Sequence, residues 1–205
     1  MIMTTHVDNL AHILQHGLVT ASSPDADPNF RDIGDRGLIG VRKDLEVPIH
    51  PGGNFSAYIP FYLGPRSPML YQMATGYEDV QKVLQSDIMY IVVKHDCIVE
   101  KGLKYVFTDG HARHSMTRFF NRPDDFDQLD WDTIYSEKWN NTQDDPDRQR
   151  RKQAEYLVKE RVPVDCFAYL LVNSEKTKLK IESLLHQATV KIPVKISKKA
   201  FYDHV

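Results

Sequence analysis

Only two cysteines, Cys97 and Cys166, occur in the 205 residues, too few for a small disulfide-framed fold or a cysteine-based zinc site. Both lie in apolar, strand-like runs, IVVKHDCIV and VDCFAYLLV, so the expectation is two small buried thiols. A disulfide is disfavoured by cytosolic redox poise. No run approaches the roughly 18 apolar residues of a membrane span. Met1 to Leu10 lacks the basic-then-apolar pattern of a secretory leader. These absences imply a cytoplasmic protein with no membrane partner. No GxGxxG follows a strand and no P-loop occurs, which excludes a Rossmann cofactor site and a Walker-type nucleotide site. Strong charge of either sign is missing too. With a net charge of −2, the whole molecule does not attract a polyanion, which would need a local basic surface.

The length fits one domain, residues 1–205, and the 26% charged residues place the chain among ordinary globular proteins. Leu10, Ile13, Leu14 and Leu18 fall at helical spacing in and just after Asn9–His16, and Gly17 stands where a helix ends. Ala21 to Gly40 has no sustained period and reads as a long loop, a feature usually tied to function. Asn54 to Leu63 is β-branched and aromatic enough for a strand, but Pro60 assigns it to an edge or makes it irregular. Ser67 to Gly76 predicts a short helix and Tyr77 to Leu84 another. Asp87 to Val93, Tyr105 to Thr108, Cys166 to Val172 and Val190 to Ile196 read as strands, and Lys176 to Gln187 as an exposed amphipathic helix. Trp131, Tyr135 and Trp139, four residues apart, suggest a helical piece presenting three aromatics. Strands and helices without regular alternation give an α+β class with a mixed or antiparallel sheet.

Three segments could carry chemistry. In PFYLGPRSPMLY, Pro60 to Tyr71, Ser67 is placed to cap a helix with Pro68 at its first position, and the adjacent Arg66 would suit a phosphate at that helix end. His111 and His114 form an H-x-x-H pair without a third metal ligand at convincing spacing, so no metal is expected. In RQRRKQAEYLV, four cations precede Glu155. That carboxylate fits either an Arg151–Glu155 ion pair on a solvated helical face or the Q-x-E pattern of many ADP-ribosyltransferases, carried by Gln153-Ala154-Glu155. An acid-rich stretch from Asp124 to Asp147 comes just before the cations.

Four blocks in order, Thr5-His6-x-x-Asn9-Leu10, FYLGPRSPMLY, Thr108-Asp109-Gly110-His111-Ala112 and RRKQAEYLV, resemble the DarT family of DNA ADP-ribosyltransferase toxins over roughly residues 3–172. The resemblance implies an ADP-ribosyltransferase fold, a split mixed β-sheet with surrounding helices. NAD would be the co-substrate, single-stranded DNA the acceptor and the DarG macrodomain protein the cognate antitoxin. It further implies Glu155 and Arg42 as catalytic residues, with Arg36 as second candidate for the arginine. An NAD-binding loop would cover 22–44 and a substrate loop 111–155. Contacts to NAD would come from Met3, Thr4, Thr5, His6, Asn9, Leu10, Arg42, Ser67 and Met69. DNA contacts would come from His111, Arg148, Arg150 and Arg151, with Lys152 serving the DNA backbone or the NAD pyrophosphate. The family's N-terminal NAD contact starts with a histidine where this chain has Met3, leaving backbone groups of Met3 to Thr5 for that role.

The chemistry is consistent with these roles. Breaking the nicotinamide–ribose bond builds positive charge on the sugar, and a carboxylate beneath it stabilises the transition state more than the ground state. An arginine, a poor base with a pKa above about 12, would polarise the base and stabilise its developing anion. The residues alone leave open a guanine, RNA or protein acceptor, a non-catalytic single-strand-binding module, and a metal nuclease built on His111 and His114.

Overall fold

The computed structural model describes residues 1–34, 37, 40, 44–77 and 80–202. The described elements are β1 (Ile2–His6), α1 (Leu10–His16), β2 (Leu18–Val19), β3 (Tyr58–Tyr62), α2 (Pro68–Thr75), β4 (Ile88–Val93), α3 (His95–Glu100) and β5 (Tyr105–Thr108). They continue with β6 (Phe119–Phe120), α4 (Trp131–Tyr135), α5 (Arg148–Lys152), β7 (Glu155–Lys159), β8 (Arg161–Val162), β9 (Phe167–Val172), α6 (Glu175–Gln187) and β10 (Val194–Ile196). An eight-stranded sheet runs β10-β9-β4-β1-β3-β7-β5-β6, and β2 pairs with β8 in a separate ribbon. All pairs in the large sheet are antiparallel except β9–β10, so the sheet is mixed, as the α+β reading expects.

Period-two alternation explains the packing. In β4, Met89, Ile91 and Val93 enter the main core with Leu10, Ile13 and Leu14 of α1 and Ile181 and Leu185 of α6. Ile88 and Tyr90 enter a second core on the opposite face with Leu70 and Met73 of α2. Both faces of this strand are covered, which is why it reads as an unbroken apolar run. In β7, Tyr156 and Val158 join the main core, while Leu157 joins a third with Val47, Phe55, Tyr58, Val106 and Ala112.

Five expectations need correction. Cys97 and Cys166 are joined in a disulfide, their Cα atoms 5.5 Å apart, because α3 and the start of β9 converge from 69 residues apart. Pro60 lies in an interior strand, opposite Leu157 of β7. It is tolerated because β1 meets β3 only through Ile2 and Tyr62, so β3 behaves as an edge on that side. Val80 to Leu84 are not helical. Gly76 ends α2 in the left-handed conformation (φ 76°), and the returning chain donates from Val83 N–H to the Met73 carbonyl. Trp131, Tyr135 and Trp139 do not share a helix, since α4 ends at Tyr135 and Ser136 is extended (φ −59°, ψ 145°). The last strand starts at Val194, just after Pro193, instead of at Val190.

In the chain-entropy account, closing a loop of this length stabilises the fold by about 4 kcal/mol. Cys97→Ser/Cys166→Ser, or wild type with reductant, therefore unfolds at a lower temperature in a thermal melt than the oxidised protein. Identical melting of oxidised and reduced wild type would contradict this.

Candidate active site

The sheet is nearly two sheets. β1 pairs with β4 along its full length but with β3 only through Ile2 opposite Tyr62. Beyond Ile2, no strand among the described residues pairs with this edge of β1. Ile2 packs against the second core, and Tyr58, on the same face of β3 as Tyr62, packs into the third. The two smaller cores therefore lie on one side of the sheet, and the split runs between them.

Glu155 stands at this junction. It is the first residue of β7, opposite Tyr62, and shares the face of Leu157. Its side chain is 2% exposed, and Oε1 accepts a 2.9 Å hydrogen bond from the Ala112 backbone N–H. Its own N–H donates to Thr108 Oγ1 (3.0 Å), and that hydroxyl donates to the Gly110 carbonyl (2.7 Å). The Thr108–Ala112 turn thus fixes both ends of the residue. An Arg151–Glu155 ion pair is excluded, because α5 ends at Lys152 and Glu155 already belongs to a strand.

The arginines of α5 are engaged within the chain. Arg150 forms a two-point contact with Asp147 (2.8 Å each) and bonds Asp109 (2.8 Å), with only 10% of its side chain exposed. Arg151 bonds Asp130 and Asp145, and Arg148 bonds Asp145. The acid-rich run and the basic run neutralise each other. The Arg150 carbonyl accepts from His111 N–H (2.9 Å), and a Cβ at Gly110 would collide with the Arg150 guanidinium. Arg150 therefore braces the turn that holds Glu155. His111 and His114 each use Nδ1 to accept a backbone N–H two residues on.

Lys152 is 2% exposed and donates to the carbonyls of Pro65, Ile134 and Ser136 at 2.7–2.9 Å. Its three donors are consumed, so it ties the turn before α2 to the end of α4 and does not face a pyrophosphate. Burial, with the Arg66 guanidinium nearby, lowers its pKa to about 8. Arg66, expected at a phosphate, reaches Glu137 (2.8 Å) and the Lys199 carbonyl (2.7 Å) instead. Ser67 caps α2 through Leu70 N–H, with Pro68 at the first helical position, as its sequence requires. Met69 packs against the second core.

At the other wall, Thr4 and His6 share the β1 face of Ile2, and Thr4 Oγ1 and His6 Nε2 are buried without a hydrogen-bond partner among the described residues. Burial and the nearby Arg31 keep the His6 pKa below its ordinary value. Nδ1 accepts Asp8 N–H (3.1 Å), which assigns the proton of the neutral ring to Nε2. Two polar atoms thus await partners, an arrangement that fits a polar ligand such as NAD. Met3 and Thr5 face the opposite way, with Met3 against the main core, so only their backbone is offered to the cleft. Asn9 holds the Arg31 backbone at both ends, accepting from its N–H (2.8 Å) and donating to its carbonyl (3.0 Å). It fastens the long loop, while Leu10 is fully buried beneath. Arg36 and Arg42 lie outside the described residues.

Residue reading alone gave no role to Thr108, Asp109 or Ala112, whose effect on Glu155 depends on a turn 43 residues away. Burial alone would raise the pKa of Asp109, but hydrogen bonds from Arg118 and Arg150 outweigh it and the net shift is downward. Asp147 is also lowered, chiefly by Arg150. Carboxylates with depressed folded pKa values stabilise the fold above the unfolded value of about 4 and lose that contribution as pH falls through the folded value. Asp109→Asn should cost about 1–3 kcal/mol in urea unfolding at neutral pH, and its stability should decline less than wild type's between pH 5 and pH 2. Parallel acid profiles would refute the assignment.

A family model described as "ssDNA thymidine ADP-ribosyltransferase, DarT" matches residues 3–202. The DNA ADP-ribosyl transferase of Thermus sp. (strain 2.9) is 35% identical over 183 residues, covering 89% of this chain and 85% of that protein. The DNA ADP-ribosyl transferase of Escherichia coli O127:H6 (strain E2348/69 / EPEC) is 31% identical over 189 residues, covering 92% and 87%. The solved structure of Thermus sp. 2.9 DarT in complex with ADP-ribosylated ssDNA superposes with a TM-score of 0.89 at 32% identity, covering 98% of this chain and 95% of that one. The same protein in complex with NAD+ gives 0.84 at 33% identity, covering 98% and 96%. A split sheet with a buried glutamate at its junction, together with these matches, means that the chain belongs to the DarT family of single-stranded-DNA thymidine ADP-ribosyltransferases.

Proposed function

We propose that this chain transfers ADP-ribose from NAD to a thymidine base of single-stranded DNA, with Glu155 as the carboxylate that stabilises the ribosyl cation. The observation that carries the residue assignment is the position of Glu155: buried, at the junction of the two half-sheets, with one oxygen fixed by Ala112 N–H. A carboxylate already held in place pays no reorganisation cost as positive charge develops on the ribose. Its hydrogen-bonding capacity can also orient the ribose hydroxyl groups, turning the electrophilic carbon toward the base.

NAD is the co-substrate, and no metal is involved. The buried donor at His6 Nε2 and the Thr4 hydroxyl supply polar contacts for it, and the open backbone edge of β1 supports a role in holding the nicotinamide amide. Ser67 and Met69, at the start of α2, are the further contacts proposed for it. Arg42 polarises the thymine and stabilises the anion formed as its ring nitrogen loses a proton, and Arg36 is the alternative for that role. His111 and Arg148 face the DNA, whereas Arg150 and Arg151 act on it through the Asp-held turn. The enzyme acts as a cytoplasmic toxin, restrained by a DarG macrodomain antitoxin.

The test is the intact mass of a single-stranded oligonucleotide after incubation with protein and NAD. One ADP-ribose unit is gained when thymine is present, and Glu155→Gln lowers the rate by at least about 100-fold without lowering the melting temperature by more than a few degrees. Modification of an oligonucleotide lacking thymine would sink the acceptor, and shortened DNA would indicate a nuclease.

A further inference from the structure

Ser136 to Asp147, the part of the substrate loop between α4 and α5, forms neither helix nor strand, and side chains hold its start. The holding point is one turn, Pro65 to Ser67. Lys152 draws the Pro65 and Ser136 carbonyls together, and Arg66 reaches Glu137 (2.8 Å). Trp139 Nε1 donates to Tyr202 Oη (2.7 Å), which in turn donates to the Arg66 carbonyl (2.7 Å). This last link comes from the most distant part of the chain: Tyr202 lies 63 residues from Trp139 and 136 from Arg66. It also lies outside the four sequence blocks that carry the family resemblance.

Tyr202 is itself fixed to the interior. Its N–H donates to Gln85 Oε1 (2.9 Å) and its carbonyl accepts from Gln85 Nε2 (2.8 Å), so one side-chain amide grips both backbone groups. Phe201 stacks on Tyr90 of β4 (4.7 Å between centroids) in the second core, and Tyr90 Oη donates to the Ala200 carbonyl (3.0 Å). The Tyr71 ring stands edge-to-face with both Tyr202 (5.5 Å) and Trp139 (5.8 Å), closing the pair from the side of α2. Burial pushes the Tyr202 hydroxyl up to about 12, so it keeps its proton and can donate at neutral pH. The carbonyl it meets belongs to a residue that needs support. Arg66 has φ 53°, a left-handed conformation uncommon outside glycine, and persists because its carbonyl and its guanidinium are both engaged.

We infer that Tyr202 is a positioning residue for transfer to DNA: its hydroxyl latches the substrate loop, at Trp139, to the turn that leads into α2. That turn ends in Ser67 and Met69 follows it, the two contacts proposed for NAD, so the latch sets the acceptor side of the site against the co-substrate side. The inference rests on the DNA reading above and adds to it a residue that acts through another instead of touching a substrate. A loop already held loses less freedom when a strand binds, so the latch is read in the KM for DNA.

The experiment measures initial rates for wild type, Tyr202→Phe, Trp139→Phe, the double variant and Gln85→Ala, varying a thymidine-containing oligonucleotide and NAD in turn. Tyr202→Phe keeps the ring and removes only the hydroxyl. It raises the KM for the oligonucleotide about five- to thirtyfold, while the KM for NAD stays near wild type and the protein melts within a few degrees of it. Trp139→Phe, which removes the donor to that hydroxyl, gives a rise of similar size, and the double variant is no worse than either single one, because both break the same link. Gln85→Ala, which frees the Tyr202 backbone but leaves the hydroxyl, gives a smaller rise. In a Trp131→Phe background, where Trp139 is the one indole, Tyr202→Phe also increases acrylamide quenching of its fluorescence. An unchanged KM for the oligonucleotide in Tyr202→Phe would overturn the latch, as would additive effects in the double variant or an equal rise in the KM for NAD. If wild type transfers no ADP-ribose to DNA, the underlying reading fails, and quenching still decides whether Tyr202 holds the loop, since unchanged quenching would show that it does not.

Discussion

One register pair, Ile2 opposite Tyr62, joins the two halves of the sheet, and the functional geometry depends on there being so little else between β1 and β3. A continuous ladder would bring the two smaller cores together and leave no cleft between them. A complete separation would give Glu155 no fixed distance from the Thr4 and His6 wall. The single pair keeps both walls in one body while freeing the edge of β1. Pro60 fits the same constraint, since a residue without an N–H suits a strand whose neighbour has diverged.

Around that junction, hydrogen bonds are spent on holding one carboxylate. Thr108 receives the Glu155 N–H and donates to Gly110, Ala112 N–H meets the carboxylate, and Arg150 braces the turn from behind with Asp109 and Asp147. Lys152 does similar work one turn later, drawing three carbonyls from two distant segments onto a single ammonium group. Side chains that look like ligands for a polyanion thus serve as internal supports, which limit the conformational freedom of the Glu155 side chain.

Local signals were legible. The Ser67 cap with Pro68, the glycine ending α1, the apolar run of β4 and the periodicity of α6 all lie in short windows, and each element forms where its residues point. Pairings across long separations were not. Asp109 meets Arg150 over 41 residues, Lys152 meets Pro65 over 87, and the cysteines meet over 69. Nothing in periodicity or composition records such distances. Two local readings also differ from the structure, the helix expected to run on through Val80 to Leu84 and the aromatic helix through Trp139, where tertiary hydrogen bonds outweigh propensity. The position of Glu155 was legible from family resemblance, while its environment required the fold.

The mutual neutralisation of the acidic and basic runs bears on how the molecule searches for its target. A protein that displays a row of uncommitted arginines adheres to duplex DNA everywhere, through release of condensed counterions. Here Asp130, Asp145 and Asp147 occupy those arginines, and the chain as a whole is slightly negative. Intact duplex, whose bases are stacked away and whose phosphates find little to bind, becomes a poor decoy. Single strands, whose bases are open to contact, thereby gain an advantage over duplex that does not depend on phosphate attraction.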